Sequence, residues 1–213
     1  MKISGTIRIV LIVALFLSYA LPAAAQYLGV LQSAETMNRG TYKLMVAPIM
    51  LLGKDGADSE TGFVTRGGYA FTENFDVEAK LGLFDQGTIF GVDGEYWILK
   101  GKDKNFPIDF SLTGGFHMMS GKDNNYDTRG FEITPQLSGQ VIDNLELCGS
   151  LNASFESIQD VPLGVDDSFT ALHLVPGIEY RLSDAFDLDA EFGIGINDDS
   201  SNYVAAGITY YVH

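Results

Sequence analysis

Apolar and polar residues alternate along most of this chain with a period of two. From Phe186 onward, Phe186, Leu188, Ala190, Phe192, Ile194 and Ile196 alternate with Asp187, Asp189, Glu191, Gly193, Gly195 and Asn197. Twelve residues of such alternation define a strand with one apolar face and one acidic or glycine-rich face. A polar turn, NDDSSN, follows, and Val204, Ala206, Ile208, Tyr210 and Val212 then form one face of a second arm. The same grammar recurs upstream, with Phe75, Val77, Ala79, Leu81 and Leu83 set against Asp76, Glu78, Lys80 and Gly82. The pattern predicts ten strands, at about 41–53, 61–72, 75–84, 88–100, 106–120, 128–141, 145–157, 168–182, 186–197 and 202–212. The first is the least regular, because both of its faces are largely apolar.

The connections also form a pattern. Residues 69–77, 139–147 and 180–188 align with one another as strand, polar turn of about three residues, and strand in a common register. Most of the opposite connections are longer and polar: GKDGADSE, SGKDNNYDT, IQDVPLGVDDS and NDDSSN. Only the link around Asp85-Gln86-Gly87 is short on that side. Pro48, Pro135 and Pro176 fall inside strand patterns, where a missing N–H removes a ladder bond. Pro135 and Pro176 keep the same distance from their aligned turns, which predicts bulges or bends rather than broken strands.

An even number of strands, with short turns at one end and long loops at the other, resembles the small bacterial outer-membrane β-barrels. The resemblance covers nearly everything after Gly40 and extends to the last strand, whose alternation is similar to the signal that the barrel assembly machinery reads. Here Val212-His213 stands where that family usually has a terminal aromatic residue. The resemblance implies an all-β, transmembrane, antiparallel up-and-down barrel of about ten strands. It also implies a monomer surrounded by outer-membrane lipid and lipopolysaccharide, inserted by the assembly machinery, with the short turns in the periplasm.

The N-terminus agrees with that address. Lys2 and Arg8 precede an apolar run from Ile9 to Tyr19, and Ala23-Ala24-Ala25 follows. This reads as a signal peptide over 1–25. Residues 26–40 have no clear period and read as an N-terminal leader, a plain tail in preference to a plug, before a barrel over 41–213. Removing the signal leaves 11 Lys and Arg against 28 Asp and Glu, a balance of −17. Such a charge argues against nucleic acid as a partner. No apolar run after the signal is long enough to span a bilayer as a helix, so a membrane reading must use strands. Cys148 is the only cysteine, which excludes an intrachain disulfide.

Candidate chemistry then falls on the polar faces. A ten-stranded barrel is narrow and filled by side chains or a few waters. The candidate lumen-lining residues are Arg66, Glu78, Lys80, Asp93, Glu95, Asp109, His117, Glu132, His173, Glu179, Arg181, Asp189 and Glu191. Lys43, Asp76, Glu146, Glu156 and Asp187 share that face. These charges must pair, take up protons or stay hydrated. A ladder of ion pairs is the expected arrangement, and a thin cation-favouring path the alternative.

Catalysis, cofactors and a lumenal metal are not expected. Ten-stranded outer-membrane proteases use paired Asp residues and an Asp–His couple near the outer rim, whereas Asp187 and Asp189 lie beside a short turn. Lipid A deacylating barrels resemble a His-x-Ser arrangement, which His117-Met118-Met119-Ser120 does not match. Cys148 reads as an inert filler.

The outer loops carry Asp55, Asp58, Glu60, Asp123, Asp127, Asp160, Asp166, Asp167, Asp198 and Asp199. Some could chelate divalent cations or meet a surface partner, although no spacing resembles a calcium loop. Lys100, Lys102 and Lys104 form a basic cluster suited to headgroups. A soluble exported β-barrel carrier is the remaining alternative, and would need the apolar faces turned inward.

Overall fold

The computed structural model describes residues 29, 31–54, 58–101, 107–122, 126–161 and 166–212. The signal over 1–25, Asp55, Lys102, Lys104, Asp123 and His213 lie outside the described residues.

Ten antiparallel strands form one closed barrel: β1 (Tyr42–Leu51), β2 (Glu60–Thr72), β3 (Phe75–Phe84), β4 (Gly87–Leu99), β5 (Asp109–Gly121), β6 (Thr128–Ile142), β7 (Leu145–Ile158), β8 (Ser168–Ser183), β9 (Phe186–Gly195) and β10 (Tyr203–Val212). Each strand pairs with its sequence neighbours, and β1 closes the ring on β10, with Tyr42 opposite Val212 and Leu51 opposite Tyr203. Closure leaves no unpaired edge, a condition for backbone to lie in hydrocarbon.

Burial follows the alternation. Leu44, Phe63, Leu83, Phe90, Phe131, Leu147 and Leu174 are exposed on the outside, while the intervening polar residues are buried. This rules out the soluble carrier, which would reverse the two faces. Aromatic rings gather near the short-turn rim: Tyr42 and Tyr69 have centroids 4.6 Å apart, Tyr69 and Phe71 4.9 Å, and Phe186 and Tyr210 4.9 Å. Aromatic rings at this height match the girdle of an outer-membrane barrel.

The repeated turn is shorter than its sequence suggests. Two residues separate Thr72 from Phe75, Ile142 from Leu145 and Ser183 from Phe186. In each hairpin the register shifts just before the turn, between Ala70 and Thr72, Gln140 and Ile142, and Arg181 and Ser183. The bulged residues Phe71, Val141 and Leu182 are all apolar and exposed. A fourth shift, between Trp97 and Leu99, lies on the same rim.

The prolines behave differently from expectation. Pro48 pairs with Phe63, Pro135 with Leu112 and Pro176 with Gly149 in ladders of constant register. On the other side, the ladders keep the same register before and after each proline while skipping the proline and the residue before it. The missing N–H therefore costs one bond on one side and needs no bulge. The bulges belong to the turns.

The two-sided apolar character of β1 also has a structural cause. Its inward residues Met45, Ala47, Ile49 and Leu51 pack with Val64, Phe84, Ile89, Met119 and Tyr203. These form an apolar cluster at the long-loop end of the lumen, which is accordingly not polar throughout.

Residues 29 and 31–40 are the main correction to the sequence reading. The segment is no plain tail: Leu31, Ser33, Ala34, Thr36 and Met37 are buried, and it runs inside the inner half of the barrel. Gly40 N–H donates to the Ala70 carbonyl at 2.9 Å, which fixes the entry at the short-turn rim. At the far end, Leu31 joins the apolar cluster.

Candidate functional site

The lumen is built by the inward positions of all ten strands, and it divides into two polar regions. In the first, side chains from β1 to β7 form a continuous ionic chain. Lys43 pairs with Glu78. Arg66 Nε donates to Glu78 Oε2 at 2.8 Å, and Arg66 Nη2 to Asp93 Oδ2 at 3.1 Å. Lys80 reaches Asp93 at 2.9 Å and crosses the lumen to pair with Glu132. His117 lies between two carboxylates, with Nδ1 3.7 Å from Glu132 Oε1 and Nε2 2.6 Å from Glu156 Oε1. Asn152 Nδ2 donates to Glu132 Oε2 at 3.1 Å. Removing these charges from water is costly, and only a network that satisfies several donors and acceptors on each ion offsets that cost.

The second region holds the acidic excess. Here three carboxylates accept from the backbone of the N-terminal segment. Leu31 N–H donates to Glu191 Oε2 at 2.8 Å, Ser33 N–H to Glu179 Oε2 at 3.2 Å, and Met37 N–H to Asp76 Oδ2 at 3.3 Å. Ala34 N–H donates to Ser138 Oγ at 3.0 Å, and Gln32 Nε2 to Glu95 Oε2 at 2.9 Å. The segment also accepts hydrogen bonds: Arg66 Nη1 reaches the Gly29 carbonyl and Lys43 Nζ reaches Gln32 Oε1, each at 2.9 Å. A buried segment without regular structure must find a partner for every N–H, and a carboxylate is a strong acceptor. Gly29, at φ 77°, has no room for a side chain, since a Cβ would lie 2.6 Å from Glu191 Oε1.

Each candidate from the sequence can be placed. Arg66, Glu78, Lys80, Asp93, His117 and Glu132 make up the ionic chain. Glu95, Glu179 and Glu191 hold the N-terminal segment. Asp189 accepts from Thr209 Oγ1 at 2.8 Å. Asp109 accepts from Trp97 Nε1 at 3.1 Å and Gly101 N–H at 2.8 Å. His173 is buried, with Nε2 3.0 Å from the Ser201 carbonyl oxygen. Arg181 differs from the rest: its side chain is 48% exposed, and it lines an open cavity of about 540 Å³ at the short-turn rim with Glu35, Trp97, Asp187 and Tyr211. Cys148 is half-buried beside Leu31 and Gln32.

Sequence reasoning missed the lumenal residues of segment 29–40. Their contacts run largely through backbone N–H groups, which leave no periodic trace. Glu60 also changes role. It is a buried residue of β2, and its Oε1 accepts from Gln86 N–H at 2.8 Å, closing the β3–β4 turn. Of the basic cluster, Lys100 lies 4.3 Å from the Trp97 ring centroid and donates to the Glu73 carbonyl at 2.9 Å.

Comparison with known proteins accords with this architecture. The model of the outer membrane protein beta-barrel domain matches residues 11–211. Among solved structures, the chain is similar to the N-terminal β-barrel domain of Pseudomonas aeruginosa OprF at 10% identity and TM-score 0.39, covering 83% of this chain and 100% of that one. It is similar to the KdgM porin at 12% identity and TM-score 0.45, covering 80% and 99%. It is also similar to Ail of Yersinia pestis at 15% identity and TM-score 0.36, covering 82% and 99%. No curated protein sequence gives a significant match. With its closed ten-strand meander, lipid-facing apolar surface and a family match across nearly its whole length, this chain belongs to the outer membrane protein β-barrel family and resides in the outer membrane.

Proposed function

We propose that this protein is a non-enzymatic, monomeric outer-membrane barrel of structural role, whose lumen is closed by its own N-terminal segment. The observation that carries this reading is the set of bonds from Leu31, Ser33 and Met37 N–H to Glu191, Glu179 and Asp76. Glu191, Glu179 and Asp76, part of the acidic excess that favours a cation path, are occupied there as acceptors. Above the segment, the ionic chain and the apolar cluster fill the remaining section. The export signal over 1–25 and insertion by the assembly machinery belong to the same reading, as does a lipopolysaccharide-facing outer leaflet.

The arrangement around Glu156 supports the non-enzymatic part. Ser154 Oγ donates to Glu156, and His117 contacts the same carboxylate. A hydroxyl nucleophile needs the imidazole against it, with the acid behind. Here the acid sits between the two. Asp187 and Asp189 lie on the inner half of β9 and have no histidine partner among the described residues.

Planar bilayer recording on the purified, folded protein tests the reading. Steady baseline current in molar KCl is the expected result, with stepwise events appearing once residues 26–40 are deleted. Cation-selective steps from the intact protein would overturn the closed lumen and favour the narrow channel.

A further inference from the structure

At the inner end of the lumen, three elements bring together carboxylates that the ionic chain does not use. Glu35 comes from the N-terminal segment, Asp109 from the first position of β5 and Glu146 from the second position of β7. One carboxylate oxygen from each lies within 4.8 Å of the other two. Two oxygens bound to one Ca²⁺ at roughly 2.3–2.6 Å can be at most about 5 Å apart, so the spacing fits a shared ion.

A second observation makes this more than an acidic cluster. Glu146 is 9% exposed, and its Oε1 is fully buried yet accepts no hydrogen bond. Buried carboxylate oxygens rarely lack a donor, and an ion is one of the partners that resolves such an orphan. Among the described residues, neither Asp109 nor Glu146 is ion-paired. Asp109 is held in place because Oδ1 accepts from Trp97 Nε1 and Gly101 N–H. A cleft at the rim, lined by Glu35, Gln140, Asp143 and Glu146, gives a route from water.

We propose that Glu35, Asp109 and Glu146 bind a single divalent cation, Ca²⁺ in preference to a softer metal, and that the ion clips the N-terminal segment to the barrel wall. An all-oxygen donor set selects a hard cation, and Ca²⁺ tolerates irregular geometry better than Mg²⁺. The site stands whether or not the lumen conducts.

The test is calorimetric titration of CaCl₂ into the full mature protein, refolded in detergent without lipopolysaccharide and stripped with chelator. A single Ca²⁺ per chain is expected, with Kd of about 10⁻⁵ to 10⁻³ M. Glu35→Gln and Glu146→Gln should each weaken binding by about tenfold or more. Asp166→Asn with Asp167→Asn should leave it unchanged. Glu35 belongs to no barrel strand, so its variant remains informative if the Glu146 variant folds poorly, and heat-modifiable gel migration reports folding of each. Tb³⁺ gives a second readout, since Trp97 is the only tryptophan and its indole touches Asp109. Sensitised emission that Ca²⁺ displaces is expected in the wild type, and loss of that emission in Glu35→Gln. No binding at millimolar Ca²⁺, undiminished binding in both glutamine variants, or loss only in the loop variant would each overturn the site.

Discussion

Arg66 Nε donates to Glu78 Oε2 at 2.8 Å between adjacent strands, with both side chains 2% exposed. The same guanidinium also holds Asp93 and the Gly29 carbonyl, so one residue joins the adjacent strands β2, β3 and β4 to the segment inside them. Arg66→Met would leave two buried carboxylates short of a donor. A loss of at most about 3–5 kcal/mol, the cost of stranding a buried charge, is expected, because Glu78 keeps Lys43 and Asp93 keeps Lys80. Arg66→Lys should recover only part of the loss, since an ammonium cannot reproduce the planar fork. Urea unfolding of the protein in lipid vesicles, followed by gel migration, measures both.

Two glycines should respond very differently to the same change. At Gly193 an added Cβ would lie 1.8 Å from the ring of Tyr203, which is fully buried and donates to Glu191 at 2.8 Å. At Gly149 nothing lies within 4 Å. Gly193→Ala should therefore lower the urea midpoint clearly, in line with overpacking costs of about 1–3 kcal/mol. Gly149→Ala should leave the midpoint nearly unchanged. Equal midpoints for the two variants would contradict the position of Tyr203 in the lumen.

The outward face can be tested at Leu151, which lies midway along β7 and is 45% exposed. In a lipid-facing position near mid-membrane, Leu151→Arg should cost about 2–4 kcal/mol. Asn152, its inward neighbour, is fully buried and donates to Glu132 and Thr134. Asn152→Ala should destabilise through lost hydrogen bonds instead, by about 1–3 kcal/mol. Unfolding in vesicles of shorter acyl chains should reduce the cost at Leu151 and leave that at Asn152 unaltered.

Cys148 reports on the N-terminal segment, because its side chain lines a small cavity with Leu31 and Gln32. A bulky maleimide should label it slowly in the folded protein. Leu31→Pro removes the N–H that bonds Glu191, and proline cannot adopt the φ of 45° found there. Faster labelling of Cys148 in this variant, with the barrel still folded by gel migration, is the expected outcome. An unchanged rate would argue against a lumen closed by this segment.

The strands were legible because a barrel wall separates two solvents at every residue. Phe192 must face lipid and Glu191 must not, so the period of two is imposed without interruption and the sequence displays it. What each inward charge touches was not legible. Lys80 pairs with Glu132 across the lumen, three strands away, and no local spacing encodes a contact through the interior. The N-terminal segment was hidden for a different reason. Leu31, Ser33 and Met37 engage through N–H groups that every residue but proline has, so their bonds leave no mark on side-chain type. A partial clue lay in the composition: carboxylates far outnumber the lysines and arginines available to pair with them, and an acceptor surplus inside a barrel implies donors from elsewhere. The apolar inward face of β1 was a second clue, visible as an irregular strand and explained by the cluster around Tyr203.

The path of residues 29 and 31–40 couples the filling of the barrel to its closure. They immediately precede β1, and β1 is the strand that meets β10 to close the ring. The segment that fills the interior and the edge that seals it are thus consecutive in the chain, tied together at Gly40 and Thr41. A displacement of the β1–β10 seam therefore pulls on the segment in the lumen, and loss of the segment's bonds to Glu179, Glu191 and Asp76 loosens the strand that holds the seam.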